Sequence, residues 1–568
     1  MKRWSKLLIT PIVAALLLAG CSGNGNNEQA SAGNSKDNSS AGKPETWIAD
    51  RTIKGLVFMD SDIDTEMNPE IAAELKKKTG ITLEMQAVQG GDSTELLAAG
   101  IASGDLPDFI AYYLDNSGRP EMAVILKAAA EGMFADLTPL FKDTKIYSKY
   151  LEEGYLPKDT KYGSMFRPEF NGSSYLAHMN ILRQPGYTVR KYVAGPFIRK
   201  DIAEALKIDP REIRTTEQFY ELAKKIKAGG FKDKNGKDVY PIGPDYHGGR
   251  EDSSLYADLV WGENDQLIKR GADGKILHES QTEYPMKRVA YMQKLLNEKL
   301  MDPEFFTMEE TRATEGALNG SYAIIGMHNY MDFNKDEHYL PMGPMNTTNG
   351  PYQMMIPYKT AYGAWSIPAT TEHPEEVVKF ADFLASREGK LLWQYGIEGR
   401  DYTLDDKGNP IVKQEVLDVV KNDPDQGKKL GFELAGNTWG SPLGSTDKDP
   451  LVDFGEMIYG DSVNPELNAA PERMAEYWGW DKLRSNARLV DGYRPLSFLS
   501  VFAKGEQLQA ALDNYKDSMI RAYYTKSLDE AKKIVDSASA QLNAAGLDEY
   551  LTLIDQKDKD VKTKLIMQ

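Results

Sequence analysis

The chain reads as an α/β protein of two lobes, each built on a doubly wound sheet, with a helical C-terminal segment. Three observations carry that expectation. Strand and helix patterns alternate as β-α-β-α-β between 53 and 115, which implies parallel strands joined by helical crossovers. A second run of the same kind occupies about 199–325. Removing a 20-residue leader from the 568 residues leaves 548, too many for one hydrophobic core.

The first strand is the apolar Ile53–Met59. A helix follows with marked ends: Asn68 as cap, Pro69 at the first position, Lys76 to Lys78 in the last turn and Gly80 beyond. Ile81-Thr-Leu-Glu-Met-Gln-Ala alternates as a strand, and a helix over Thr94–Ser103 leads to the strand Phe109-Ile110-Ala111. Sheets of this type take ligands outside the carboxyl ends of their strands. Those ends supply 60–62, 89–91 and 112–115.

In the second run a helix over Arg199–Lys207 stops before Asp209-Pro210. Thr215 and Gln218 then form a capping-box pair ahead of Phe219, Leu222, Ala223 and Ile226 on one face. A helix near Met286–Lys299, another ending at Asn319-Gly320 and the strand Tyr322-Ala-Ile-Ile-Gly complete this run. Tyr362–Pro368 is a strand, and His373-Pro374-Glu375 opens a helix with Val377, Phe380, Ala381 and Leu384 inward. A short helix over Lys390–Tyr395 comes next. The turn Asp406-Lys407-Gly408-Asn409 between extended runs predicts a hairpin over Tyr402–Val412. At the C-terminus Leu508, Ala511, Leu512 and Tyr515 share a face, and Ser527 with Glu530 caps a last long helix ending near Gly546.

The leader itself is informative. Lys2, Arg3 and Lys6 precede an apolar stretch from Leu7 to Leu18, too short to span a bilayer core of roughly 30 Å. Leu18-Ala19-Gly20-Cys21 has the form of a bacterial lipobox, so 1–20 is expected to be a signal peptide and Cys21 the acylated first residue of an exported protein. Cys21 is the single cysteine, which excludes intrachain disulfides. From 22 to about 46 the Gly, Asn, Ser, Ala and Lys composition predicts a disordered tether. Three cations leave with the signal peptide, which takes the net charge from −17 to −20 and argues against nucleic-acid binding.

Several segments together resemble the family 1 extracellular solute-binding proteins, the maltodextrin-binding-like receptors of ATP-driven (ABC) importers. They are Leu75-Lys-Lys-Lys-Thr-Gly-Ile-Thr-Leu, Ala102-Ser-Gly-Asp-Leu-Pro-Asp-Phe-Ile, Ile198-Arg-Lys-Asp with Thr216-Glu-Gln-Phe, and Gly363–Leu384. Tyr395-Gly-Ile-Glu-Gly-Arg-Asp-Tyr-Thr-Leu-Asp-Asp-Lys-Gly-Asn-Pro resembles the long lipoprotein subgroup of Bacillus- and Paenibacillus-type bacteria. Each stretch is weak alone; their order carries the resemblance. It implies a periplasmic-binding-protein-like fold of the class II type, in which the chain crosses between lobes more than once and a ligand is enclosed by hinge closure. The lobes would be 47–180 with 363–430, and 181–362 with 431–568, crossing near Asn180 and Tyr362. The implied partners are an oligosaccharide, the permease subunits of an ABC importer and, through Cys21, the outer face of the cell membrane; a monomer is expected. Within the subgroup, plant-cell-wall or other complex glycan fragments are favoured.

Sugars present hydroxyls at the ring edge and apolar faces, so their receptors pair hydrogen-bonding side chains with aromatic platforms. By position, Asp60 and Asp62 after the first strand, and Tyr112, Tyr113 and Asp115 after the third, are candidates in the first lobe. Arg167, before the first crossing, could fork across two hydroxyls. In the second lobe the candidates are His247 in a glycine-rich loop, Trp261, and Asn329 with Tyr330 after the strand. Trp439, in Asn437-Thr438-Trp439-Gly440, is the leading platform, its glycines expected to expose the indole. Trp365 lies within a strand and is expected to be structural. No cofactor is expected. Asp233-Lys-Asn235-Gly236-Lys-Asp238 resembles a calcium loop, but Phe231 precedes it and Ile242 stands where the EF-type pattern needs a carboxylate, so a plain turn and no metal are expected.

An enzyme is not expected. The chain lacks a Gly-x-Ser-x-Gly elbow, a phosphate loop, a His-Glu-x-x-His motif and a dinucleotide fingerprint. A lipid-anchored glycoside hydrolase remains an alternative, since two carboxylates suffice for that chemistry. A receptor for a peptide or aminosugar is the other alternative.

Overall fold

The computed structural model describes residues 43–559 except 59–62, 89–92, 115–120, 157–160, 180–195, 245–266, 272, 327–337, 343–354, 358–362, 407, 445–487 and 491–494. The expected signal peptide, Cys21 and most of the expected tether therefore lie outside the described residues.

The chain opens as β1 (Arg51–Phe58), α1 (Pro69–Thr79), β2 (Ile81–Ala87), α2 (Ser93–Ser103), β3 (Phe109–Tyr113) and α3 (Glu121–Ala130). The sequence signals at α1 act as expected. Asn68 accepts from the backbone N–H groups of Glu70 and Ile71, a cap that stabilises by about 1 kcal/mol. Gly80 ends the helix at φ 79°, where a Cβ would meet the Ala49 carbonyl oxygen at 2.3 Å, so only glycine fits. Ile71 and Leu75, four apart on one face, are buried against the sheet, each by about 1.5–3 kcal/mol.

β4 (Ala177–Met179) closes the first stretch, and β5 (Phe197–Arg199), β6 (Tyr240–Ile242), the hairpin β7 (Ile268–Arg270) and β8 (Ile276–His278), β9 (Tyr322–Ile325) and β10 (Tyr339–Pro341) follow. After β11 (Met355–Pro357) the chain returns as β12 (Gly363–Ser366). The expected hairpin forms between β13 (Tyr402–Leu404) and β14 (Pro410–Val412), and β15 (Arg488–Val490) pairs in parallel with β11.

Two sheets result. The first has the order β2-β1-β3-β12-β4 and the second β10-β5-β9-β6. β1, β2 and β3 are parallel, but β12 runs antiparallel to both β3 and β4. In the second sheet β5 is likewise antiparallel to its neighbours β9 and β10. Both sheets are thus mixed rather than wholly parallel. The reason is connectivity: β5 and β12 are the strands by which the chain enters a sheet from the other, so they start at the carboxyl edge and run backwards.

Each sheet has its own core. The first gathers Val57, Ile71, Phe109, Ile125, Trp365, Phe380 and Leu384, with Trp365 stacked on Phe109 at 4.1 Å between ring centroids. The second gathers Phe219, Ile226, Val289, Ile324 and the C-terminal helices Gly505–Tyr523 and Leu528–Ala544. Thr215 and Gln218 make the expected capping box, and Ser527 accepts from the N–H of Glu530. The chain does not end its helices near Gly546. That glycine, at φ 96°, only interrupts them, and Leu547–Lys559 forms a further helix that buries Leu547, Tyr550, Leu551 and Ile554.

A buried polar cluster fixes the C-terminal helices to the second core. Arg288 donates to both Glu279 oxygens at 2.8 and 2.5 Å and through Nε to the Tyr523 hydroxyl at 3.1 Å, while the Tyr515 hydroxyl donates to Glu279 at 3.2 Å. Such a pair is tolerable without water only because its remaining valences are filled in this way.

Candidate functional site

The edges where strands end define where a ligand would sit. In the first sheet that edge comprises the ends of β1, β2, β3 and β4 and the start of β12, with Gly363 opposite Tyr113 and Met179. In the second it comprises the ends of β6, β9 and β10 and the start of β5. In the sequence Asp60 and Asp62 follow β1, Asp115 follows β3, His247 and Trp261 follow β6, and Asn329 and Tyr330 follow β9; all of them lie outside the described residues. Tyr112, Tyr113, Arg167 and Trp439 are described.

Tyr112 and Tyr113 alternate in β3 and so point to opposite faces. Tyr112 is wholly buried, its hydroxyl 2.7 Å from Ser366 Oγ, which in turn donates to the Tyr175 carbonyl at 2.8 Å. Burial pushes the phenol far above its ordinary range, opposed by the Ser366 bond and aided by the charge of Glu121. Its hydroxyl therefore ties β3, β12 and the approach to β4 together inside the sheet. Tyr113 is half-buried at the very edge, opposite Gly363.

Arg167 is also enclosed. Its Nε bonds Glu169, and its guanidinium lies 5.6 Å over the Phe498 ring, in the helical turn Pro495–Val501. In this structure the expected fork is directed at a carboxylate and an aromatic face.

Trp439 corrects the expectation most clearly. The indole is wholly buried in the first core, and its Nε1 donates to the Gly431 carbonyl at 2.9 Å. The neighbouring glycines do not expose it; they let the backbone pass close over Trp393, where a Cβ at Gly440 or Gly444 would come within 2.4 or 2.2 Å. The adjoining residue has the role at the edge. Asp64, in the loop after β1, accepts from the Thr438 N–H at 2.7 Å and its hydroxyl at 3.1 Å, and Lys428 pairs with it at 2.9 Å. This brace fixes the approach to α1 to a segment more than 370 positions away, and no sequence spacing signals it.

The Asp233 loop is a turn. One Asp233 oxygen accepts from the N–H groups of Asn235 and Lys237 at 2.9 and 2.8 Å, and the other from Ser321 Oγ at 3.1 Å. Ile242 is buried in β6. The loop does not offer an EF-type ligand set. Among the described residues, His373, Glu375 and Glu376 bring ligand atoms together, but Glu376 pairs with Arg51 and His373 with Glu375 at the surface. A cavity of about 390 Å³ lies at the opposite edge of the second sheet, by Arg199, Lys234, Asn319 and Tyr339. Its Arg199 is held by Asp201 and the Gly320 carbonyl.

Two mixed sheets on separate cores, entered by antiparallel strands, give the architecture; residues 61–391 match the model of the bacterial extracellular solute-binding proteins. The chain belongs to that family. Among curated relatives, this solute-binding protein is 25% identical over 427 residues to Lipoprotein LipO of Bacillus subtilis (strain 168), covering 71% of this chain and 74% of that one. Among solved structures it resembles alginate-binding protein AlgQ2, determined without calcium ion, with TM-score 0.63, 19% identity, and coverage of 90% of this chain and 99% of that one. It also resembles the S. pneumoniae substrate-binding protein FusA in complex with kestose, with TM-score 0.62, 18% identity, and coverage of 89% and 98%. At these identities the likeness establishes the two-lobed periplasmic-binding-protein-like fold. Among the described residues no helix is long and apolar enough to cross a membrane.

Proposed function

We propose that this solute-binding protein captures an oligosaccharide, a plant-cell-wall or other complex glycan fragment, between the carboxyl edges of its two sheets, and delivers it to the permease of an ABC importer while a lipid on Cys21 holds it at the membrane. The observation that carries the reading is the presence of two sheets on separate cores, with Asp60, Asp62 and Asp115 following strands of the first in the sequence and His247, Trp261, Asn329 and Tyr330 following strands of the second. Carboxylates, amide and aromatic rings on both sides of a closing gap supply hydrogen bonds and apolar faces for a sugar. Tyr113 at the described edge belongs to the same set. A ligand touching both lobes favours the closed arrangement by its added contacts there.

Thermal shift of the full chain carrying C21S, screened against defined oligosaccharides, tests the ligand. A glycan at a hundred times its Kd should stabilise by about 2.7 kcal/mol, with no release of reducing ends. Release of reducing sugar means a hydrolase instead, and a shift with peptides or aminosugars alone moves the ligand to that class. Mass spectrometry of the membrane-bound protein should find diacylglycerol on Cys21, and C21S should appear in the medium.

A further inference from the structure

Asparagine followed by glycine is the dipeptide in which a side-chain amide most readily meets its own backbone, because glycine leaves the next nitrogen unshielded and free to turn. The chain contains five such pairs, at 24–25, 171–172, 235–236, 319–320 and 349–350. The first and last lie outside the described residues, and the structure separates the other three. In two of them the glycine nitrogen is already engaged. The Gly236 N–H is given to the Asp233 carbonyl at 3.0 Å, inside the turn that the Asp233 side chain also holds. The Gly320 N–H is given to the Ala317 carbonyl at 3.0 Å, where it closes the helix Glu310–Asn319.

Asn171 and Gly172 differ from both at each reacting group. Among the described residues neither the Asn171 side-chain amide nor the Gly172 N–H has a hydrogen-bond partner. Both residues are exposed, and nothing lies within 4 Å of the place a Cβ on Gly172 would take. Asn171 ends the turn Pro168–Phe170 at φ 54° and ψ 30°, in the left-handed region that asparagine tolerates, and Gly172 follows at φ 90°. The peptide group between them makes no hydrogen bond to the described residues, so its rotation toward the side chain breaks none of its own. Gly172 is attached only through its carbonyl, by the Thr138 hydroxyl at 3.5 Å.

We propose that Asn171 is a site of spontaneous covalent modification, deamidating through a cyclic imide formed with Gly172. The Gly172 nitrogen gives its proton to hydroxide and attacks Asn171 Cγ. The Cγ–Nδ2 bond breaks, ammonia leaves with a proton taken from water, and a succinimide ring remains. Water then opens either imide carbonyl, leaving aspartate or, with an extra methylene in the main chain, isoaspartate. Each product adds one negative charge two residues from Glu169, the partner of Arg167. This chemistry needs no ligand and is separate from the receptor reading above.

The full chain carrying C21S, held in mildly alkaline buffer and then digested with trypsin, reports each site by mass. The peptide 162–183 should become one dalton heavier and split into two chromatographic species, one of them a substrate for protein isoaspartyl methyltransferase. The hydrogen bonds that tie Gly236 and Gly320 should leave Asn235 and Asn319 about twofold to tenfold slower than Asn171. Urea removes that protection, and the three sites should then convert at similar rates. N171Q should abolish the heavier peptide. A native Asn171 that stays intact overturns the proposal, as does native conversion of Asn235 or Asn319 at an equal or greater rate, or a heavier 162–183 peptide in N171Q.

Discussion

Trp439 and Glu433, six residues apart, show how far a side chain's role depends on what closes over it. Because the Trp439 indole is enclosed and bonded to Gly431, W439A should act on stability, costing about 3–5 kcal/mol. Chemical denaturation measures this; a loss of glycan affinity at unchanged stability would return the residue to the ligand. Glu433 has one carboxylate oxygen buried without a partner, and burial pushes the group up to about 7, against a bond from Ser441 and the charge of Lys390. Its folded pKa lies above the ordinary 4.5, so its contribution is present below about 4.5 and lost as pH rises through 7. E433Q should therefore raise the melting temperature at pH 8, by a change worth about 1–3 kcal/mol, and do little at pH 4.5. His278 works in the other sense. Burial pushes its imidazole down to about 4, so the stability it contributes is present above pH 6.5 and lost as pH falls toward 4. A stability–pH profile of H278N should be flatter than the parent's between 6.5 and 4.

Helix ends were legible because capping is written within a few residues: Asn68 with Gly80, Thr215 with Gln218, Ser527 with Glu530. What joins distant elements was not. Asp382, on the helix Pro374–Ala385, accepts the N–H groups of Lys145, Ile146 and Tyr147 at 2.8, 2.7 and 3.0 Å. It caps the turn Tyr147–Leu151 from more than two hundred residues away. Burial raises its pKa despite those bonds, a sign of how fully the carboxylate has left water. D382A should strand three donors and cost about 2–4 kcal/mol in denaturant unfolding; a cost under about 0.5 kcal/mol would show that water satisfies them. Likewise the antiparallel entry of β5 and β12 follows from connectivity between sheets, which no local pattern records.

For the molecule as a whole, the sequence pattern yielded the class of fold and the two α/β runs, because helix and strand periodicities are local. It placed Tyr113 at the end of the third strand, where the structure has it, yet it missed the Asp64–Thr438 brace, whose partners meet only in three dimensions. Stability at this scale hangs on the cluster that fastens the C-terminal helices. R288M should leave Glu279 buried and uncompensated, costing about 3–5 kcal/mol, and the loss should appear first as faster exchange of amide protons in Gly505–Tyr523.

The position of β12 also dictates an order of assembly. It lies between β3 and β4 and brings Trp365 onto Phe109, yet it is made about 250 residues after β3. While synthesis proceeds at roughly 5–20 residues per second, β3 therefore waits for more than ten seconds as a naked, apolar edge of the kind that recruits foreign strands. The first sheet stays incomplete until β12 arrives, and whatever shields nascent chains must guard that edge until residue 366 has emerged.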